Sequence, residues 1–133
     1  MGGRSPSFPD YPFLVETGPS NGSGSMQVFG TFSEVAGLPS KVGGAYKVPD
    51  VTMKRGVVES SSLSEWISAA RTNGPAAARD VQVTQRGEGN ATVAVWRLVN
   101  ATPKSFNGSA PGSRGGDLAL EELVLSAQQI EKT

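Results

Sequence analysis

The chain has 133 residues, 37% of them hydrophobic, with 17 glycines, 9 prolines and a formal net charge of zero. That length fits one domain with a modest core, and the low apolar share points to poorly packed tails or to burial completed against other subunits. There is no cysteine and no histidine; disulfides, thiolate metal sites, thiol nucleophiles and the commonest general base are excluded, and the neutral balance leaves no basic footprint for general nucleic-acid binding.

Residues 1–10 combine glycine, serine and proline with a single aromatic, the composition of an extended arm; residues 11–133 are expected to form the domain. The start has no apolar stretch of signal-peptide type, and no run approaches the length of a membrane span. No membrane insertion is expected, and the protein is expected to be soluble and intracellular when made. The sequons at Asn21, Asn90, Asn100 and Asn107 are read as asparagine-rich turns.

Residues 11–17 and 26–32 alternate and predict two strands of a hairpin around the glycine-serine loop 18–25. Residues 33–38 form a short segment ending in a glycine turn, and 39–45 a glycine-rich loop that contains Lys41, with Lys47 just beyond it. Strand character returns over 46–58. Strict alternation there puts Val51, Met53 and Arg55 on one face and Thr52, Lys54 and Gly56 on the other.

Next comes a helix. Ser62 and Glu65 have the spacing of a capping box, and Leu63, Trp66, Ile67 and Ala70 form an apolar stripe. Arg71 complements the carboxyl end, and Asn73-Gly74-Pro75 stops it. Leu63, Trp66 and Ile67 are its expected core anchors. Residues 80–86 and 91–100 predict strands joined by Gly87-Glu88-Gly89-Asn90, the second mostly apolar on both faces. Residues 104–114 look turn-rich. Over 117–131, Leu120, Leu123, Val124, Ala127 and Ile130 fit a helical stripe better than alternation. The composite is an α+β domain, mainly antiparallel strands with one helix on a face.

Catalytic chemistry finds little support. A serine nucleophile lacking histidine would need a lysine base, and no Ser-x-x-Lys occurs. Of Glu34, Glu121 and Glu122, the carboxylates near patterned apolar segments, Glu121 and Glu122 are adjacent, so on a regular strand they face opposite sides, unlike a carboxylate pair across a cleft; all three read as exposed or interface charges. Lys54-Arg55 suits a solvated or interfacial edge better than a phosphate site. No enzyme activity, cofactor or metal is expected.

One ordered set of segments carries a family resemblance. Phe13-Leu14-Val15-Glu16 is followed by Gly30-Thr31-Phe32-Ser33-Glu34-Val35-Ala36-Gly37-Leu38 and Val51-Thr52-Met53-Lys54-Arg55-Gly56-Val57. Then come Leu63-x-x-Trp66, Val95-Trp96-Arg97-Leu98-Val99-Asn100-Ala101-x-Pro103 and Leu120-Glu121-Glu122-Leu123-Val124-Leu125. From about Pro12 to the last residue the chain resembles the tail tube proteins of contractile-tailed phages, shared with related injection particles and the type VI secretion tube. It departs from them in a shortened segment before the Lys-Arg-Gly strand, where Lys47-Val48-Pro49-Asp50 lacks the usual glycine.

The resemblance implies a small antiparallel β-barrel or sandwich flanked by one helix, six copies to a ring, with rings stacked into a hollow tube. It implies strand, against the helical stripe, for residues 118–127. It further implies a virion tail protein assembled in the bacterial host cytoplasm, with tail sheath, terminator and baseplate proteins as partners and genomic DNA passing through the lumen. A phage-like injection particle carrying protein cargo is the alternative. A stand-alone β-barrel ligand-binding module is the alternative from another class, and exposed aromatics would mark it. Opposite charges at Lys41, Lys47, Lys54 and Arg55 and at Glu121 and Glu122 make these residues candidates for contacts between copies.

Overall fold

The computed structural model describes residues 12–19, 26–38, 43–46, 50–108 and 116–133. Eight strands and one α-helix follow in the order β1 (Phe13–Pro19), β2 (Gln27–Ala36), β3 (Gly43–Tyr46), β4 (Val51–Glu59), α1 (Ser60–Asn73), β5 (Arg79–Arg86), β6 (Thr92–Gly108), β7 (Asp117–Ser126) and β8 (Gln129–Lys132). The strands join in the order β3-β8-β6-β5-β1-β2-β4-β7, and an added β6–β7 pairing closes six of them, all antiparallel, into a barrel. Closure pairs β1, β2, β4, β5 and β7 on both sides, while β3, paired with β8 alone among the described strands, stands at an outer edge.

The long strand β6 makes the closure possible. Its first part pairs with β5 on one side and β8 on the other, and its second part, from Thr102 onward, pairs with β7. The two parts meet at Asn100, whose φ of 53° lies in the left-handed region that asparagine tolerates. Buried Asp80 holds this bend: one carboxylate oxygen accepts the Asn100 amide at 3.2 Å, and the other accepts from the Arg97 guanidinium at 2.9 Å. Residues 104–108, which look turn-rich in the sequence, are therefore strand. Pairing with β7 overrides their weak local preference.

The C-terminal stripe is also strand, as the resemblance implies, and β7 and β8 run one after the other along β6. The core gathers inward residues of the barrel strands, including Val15, Phe32, Val51, Met53, Val83, Leu98, Leu123 and Ile130, all at 0% exposure. Both tryptophans belong to this cluster.

Helix α1 packs against β4 and β6. Leu63 and Trp66 are buried, and Ile67 is partly buried against the core. The capping box expected at Ser62 and Glu65 does not form. β4 runs directly into the helix, and Glu59 is the N-cap. Its Oε1 accepts the Ser62 amide at 2.8 Å and the Ser61 hydroxyl at 2.5 Å, while Oε2 accepts the Gly116 amide at 3.0 Å. One carboxylate thus ties the helix start to the entry of β7. A capping box is local in sequence, whereas this cap draws on a residue 57 positions away.

The hydrogen bonds from Ser61, Ser62 and Gly116 hold the Glu59 carboxyl below its ordinary pKa. A depressed folded-state pKa stabilises above the unfolded value, and that contribution disappears as pH falls through the folded value. Glu59→Gln is therefore expected to lower the urea midpoint near neutral pH and to lose its difference from the wild type in acid. Midpoints measured at pH 7 and pH 3 check this; equal differences at both would rule out a charged cap.

Candidate functional site

Strict alternation in β4 fails at the stretch Lys54-Arg55-Gly56. Val51 and Met53 are buried, Lys54 and Arg55 are both exposed, and Gly56 and Val58 are buried again. The inward spacing therefore runs two, three, two. Arg55 causes the slip with a φ of 51° in mid-strand. For a residue with a side chain, that conformation costs on the order of 1 kcal/mol. The Ser33 hydroxyl donates to the Arg55 carbonyl at 2.7 Å, and Glu34 accepts from the Arg55 guanidinium at 2.5 Å.

Both neighbouring strands slip at the same level. On β7, buried Leu120 and Leu123 enclose Glu121 and Glu122, neither of which is buried. On β2, buried Phe32 and core-packed Val35 enclose Ser33 and Glu34. Register is kept throughout: Phe32 lies opposite Gly56 and Gly56 opposite Leu120, while Glu34 lies opposite Lys54 and Lys54 opposite Glu122. Three strands therefore turn over together. They present two consecutive polar side chains each, a charged shelf built from Ser33, Glu34, Lys54, Arg55, Glu121 and Glu122.

Gly56 makes the turn-over possible. A Cβ there would collide with the Phe32 ring and the Thr31 carbonyl oxygen. The junction of Lys54-Arg55 with Gly56 is thus one device, a left-handed residue followed by a residue without a side chain.

Four of the six expected contact residues, Lys54, Arg55, Glu121 and Glu122, come together here; Lys41 and Lys47 lie outside the described residues. Two expectations are corrected. Arg55 does not share a face with Val51 and Met53, and Glu121 and Glu122 do not alternate between core and surface. Sequence reasoning missed Ser33, and read Glu34 as an exposed or interface charge without joining it to the expected contact residues. A shared signal was present: Phe32-Ser-Glu-Val35, Met53-Lys-Arg-Gly56 and Leu120-Glu-Glu-Leu123 all set two polar residues between inward positions.

The Arg55–Glu34 pair has both side chains more than half exposed, at 55% and 57%, so it adds little stability. A shallow depression of about 410 Å³ beside it is lined by Arg55, Glu121, Val57 and Ala119. Among the described residues no group of three or more acidic side chains could hold a metal ion. The shelf offers opposite charges in a fixed pattern, suited to setting register against another protein surface.

Lys54 lies between Glu34 and Glu122 of its own chain. Lys54→Glu would align three carboxylates across β2, β4 and β7 and is expected to lower monomer stability by about 1 kcal/mol. Glu122→Lys in the same chain should restore part of it, because Glu34 still faces the new carboxylate, as denaturant midpoints would report. An unchanged midpoint for Lys54→Glu would contradict this cross-strand row.

Comparison with known proteins resolves what kind of chain carries this shelf. The family model described as "T4-like virus tail tube protein gp19" matches residues 22–131. The chain belongs to this tail tube family. Tail tube proteins are structural components of phage tails and contractile injection systems, and the barrel with its one helix is the fold expected from the resemblance. No curated protein sequence matches. Among solved structures, the chain is similar to one from "Extracellular Contractile Injection System, PVC sheath-tube complex in extended state", with 18% identity, a TM-score of 0.53, and coverage of 94% of this chain and 90% of that one. It is also similar to one from the anti-feeding prophage "tube terminating cap", with 16% identity, a TM-score of 0.53, and coverage of 100% and 94%. A third, from the anti-feeding prophage baseplate, has 16% identity and a TM-score of 0.54, with coverage of 100% and 97%. At these identities the likeness establishes the fold.

Proposed function

We propose that this tail tube protein assembles as hexameric rings that stack into a hollow conduit for DNA ejection. The family match over residues 22–131 carries this reading. The charged shelf adds support: its opposite charges in a fixed pattern suit contacts between copies that set ring geometry. Lys41, Lys47, Lys54, Arg55, Glu121 and Glu122 remain the candidate contact residues. Sheath, terminator and baseplate proteins are the proposed partners, with DNA a transient occupant of the lumen. Assembly is placed in the host cytoplasm before the tube joins the virion tail.

The likeness to tubes of extracellular injection particles supports a second reading, an inner tube delivering protein cargo. The stand-alone ligand-binding module loses its main support, because Trp66 and Trp96 are 0% and 6% exposed and form no aromatic platform. No catalytic role is proposed.

Negative-stain electron microscopy of the purified protein over a concentration series tests the reading. Six-fold rings or stacked tubes are expected. Featureless monomers at every concentration would overturn it.

A further inference from the structure

The second part of β6 ends on Asn107-Gly108. Three of the five asparagines precede glycine: Asn21, Asn73 and Asn107. Such a pair is open to cyclisation, because glycine carries no side chain to keep its amide nitrogen from the asparagine side-chain carbonyl carbon. Tertiary structure separates the sites. Asn21 lies outside the described residues. At Asn73 the attacking nitrogen is engaged, since the Gly74 amide donates to the Ala70 carbonyl at the end of α1. Asn90 and Asn100 precede alanine, and the Ala91 amide donates to the Glu88 carbonyl at 3.3 Å.

The surroundings of Asn107 differ. Beyond Ala101, β6 has β7 as its only strand neighbour among the described residues, and the register of that pairing shifts between Asn107 and Gly108. Both residues are exposed. A strand end held on one side, at an irregular step, opens locally at little cost. Opening lets the Gly108 nitrogen turn toward the Asn107 side chain. The glycine itself serves closure: its φ is 143°, and an added Cβ would lie 3.2 Å from the Leu120 Cα. The pairing that closes the barrel therefore demands glycine after this asparagine, and with it an unhindered path of attack.

We propose that Asn107 is a site of spontaneous deamidation and isomerisation at the border of the charged shelf. The Gly108 nitrogen bonds to the Asn107 Cγ, the bond from Cγ to the side-chain nitrogen breaks, and ammonia leaves with the proton that the Gly108 amide gives up. Water then opens the cyclic imide at either carbonyl. Position 107 becomes aspartate or, with the main chain rerouted through the side-chain carboxyl, isoaspartate. This position ends a cross-strand row: Asn107 lies opposite Glu122, Glu122 opposite Lys54, and Lys54 opposite Glu34. The new carboxylate faces Glu122, and like charges placed opposite each other destabilise a sheet. Isoaspartate also adds a main-chain carbon to the ladder that closes the barrel. The modification belongs to the folded subunit and does not depend on the tube reading.

Tryptic peptides of the aged protein test this, because cleavage places Asn107 in residues 105–114 and Asn73 in residues 72–79. During incubation at mildly alkaline pH, the first is expected to convert at least about fivefold faster than the second, the factor that one backbone hydrogen bond is worth. In urea, where neither amide is held, that gap should close. No conversion at Asn107, a rate equal to or below that at Asn73, or a gap unchanged in urea would each overturn the proposal. Asn107→Asp provides the second measurement. It should lower the urea midpoint, and Glu122→Gln in the same chain should return it toward the wild type. A wild-type midpoint for Asn107→Asp would overturn the effect on the shelf row.

Discussion

Trp66→Ala is expected to destabilise the subunit by about 3–5 kcal/mol, the cost of truncating a buried aromatic. Trp66 is 0% exposed, and the Phe29 ring meets it edge-on at 5.7 Å between centroids. Its Nε1 donates to the Ala77 carbonyl at 3.1 Å, and the Arg79 guanidinium lies 5.0 Å from the ring centroid. Removal would leave a cavity, an unpaired carbonyl, and a half-buried cation with no ring beneath it. Against a typical total of about 5–15 kcal/mol, that loss threatens the fold and with it any assembly. Trp66→Phe keeps the Phe29 contact and should cost less. Urea unfolding by circular dichroism measures both; a wild-type midpoint for Trp66→Ala would mean that the helix is not anchored as described.

Gly56→Ala is expected to cost about 2–3 kcal/mol, at the upper end for overpacking a close-fitting site. The added methyl would meet the Phe32 ring, which can rotate, and the Thr31 carbonyl oxygen, which belongs to the ladder and cannot. Phe32→Leu in the same chain should therefore fail to restore stability. Gly89 is the useful contrast. Its φ of 69° disfavours a side chain, but nothing lies within 4 Å of an added Cβ, so Gly89→Ala should cost only about 1 kcal/mol. Comparable midpoints for the two variants would contradict the close approach of β2 and β4.

The charged shelf shows why part of the site was legible and part was not. Lys54-Arg55 and Glu121-Glu122 stand out as charges inside apolar strands, and that much is visible in one dimension. Their meeting depends on β4 lying between β2 and β7, which no local pattern specifies. Glu34, legible as an exposed or interface charge, was left out of the contact set for this reason, since it gains its place as the residue opposite Lys54. The same slip explains the misleading helical stripe: a strand that turns over sets Leu120 and Leu123 three residues apart, the spacing of a helix face.

By itself the sequence determined the composition limits, the first hairpin, the apolar face of α1 with Trp66 at its centre, the glycine stop at Gly74, and the ordered motifs of the tail tube family. These are local: periodicity, turn residues and short signatures need no partner to be recognised. Tertiary structure alone decided the Glu59 cap, the continuation of β6 through Gly108 and the shared slip of β2, β4 and β7. Each depends on a group distant in sequence, Gly116 for the cap, β7 for the second part of β6, and Phe32 over Gly56 for the slip. Pairing with such groups outweighs local preferences worth a few tenths of a kcal/mol per residue.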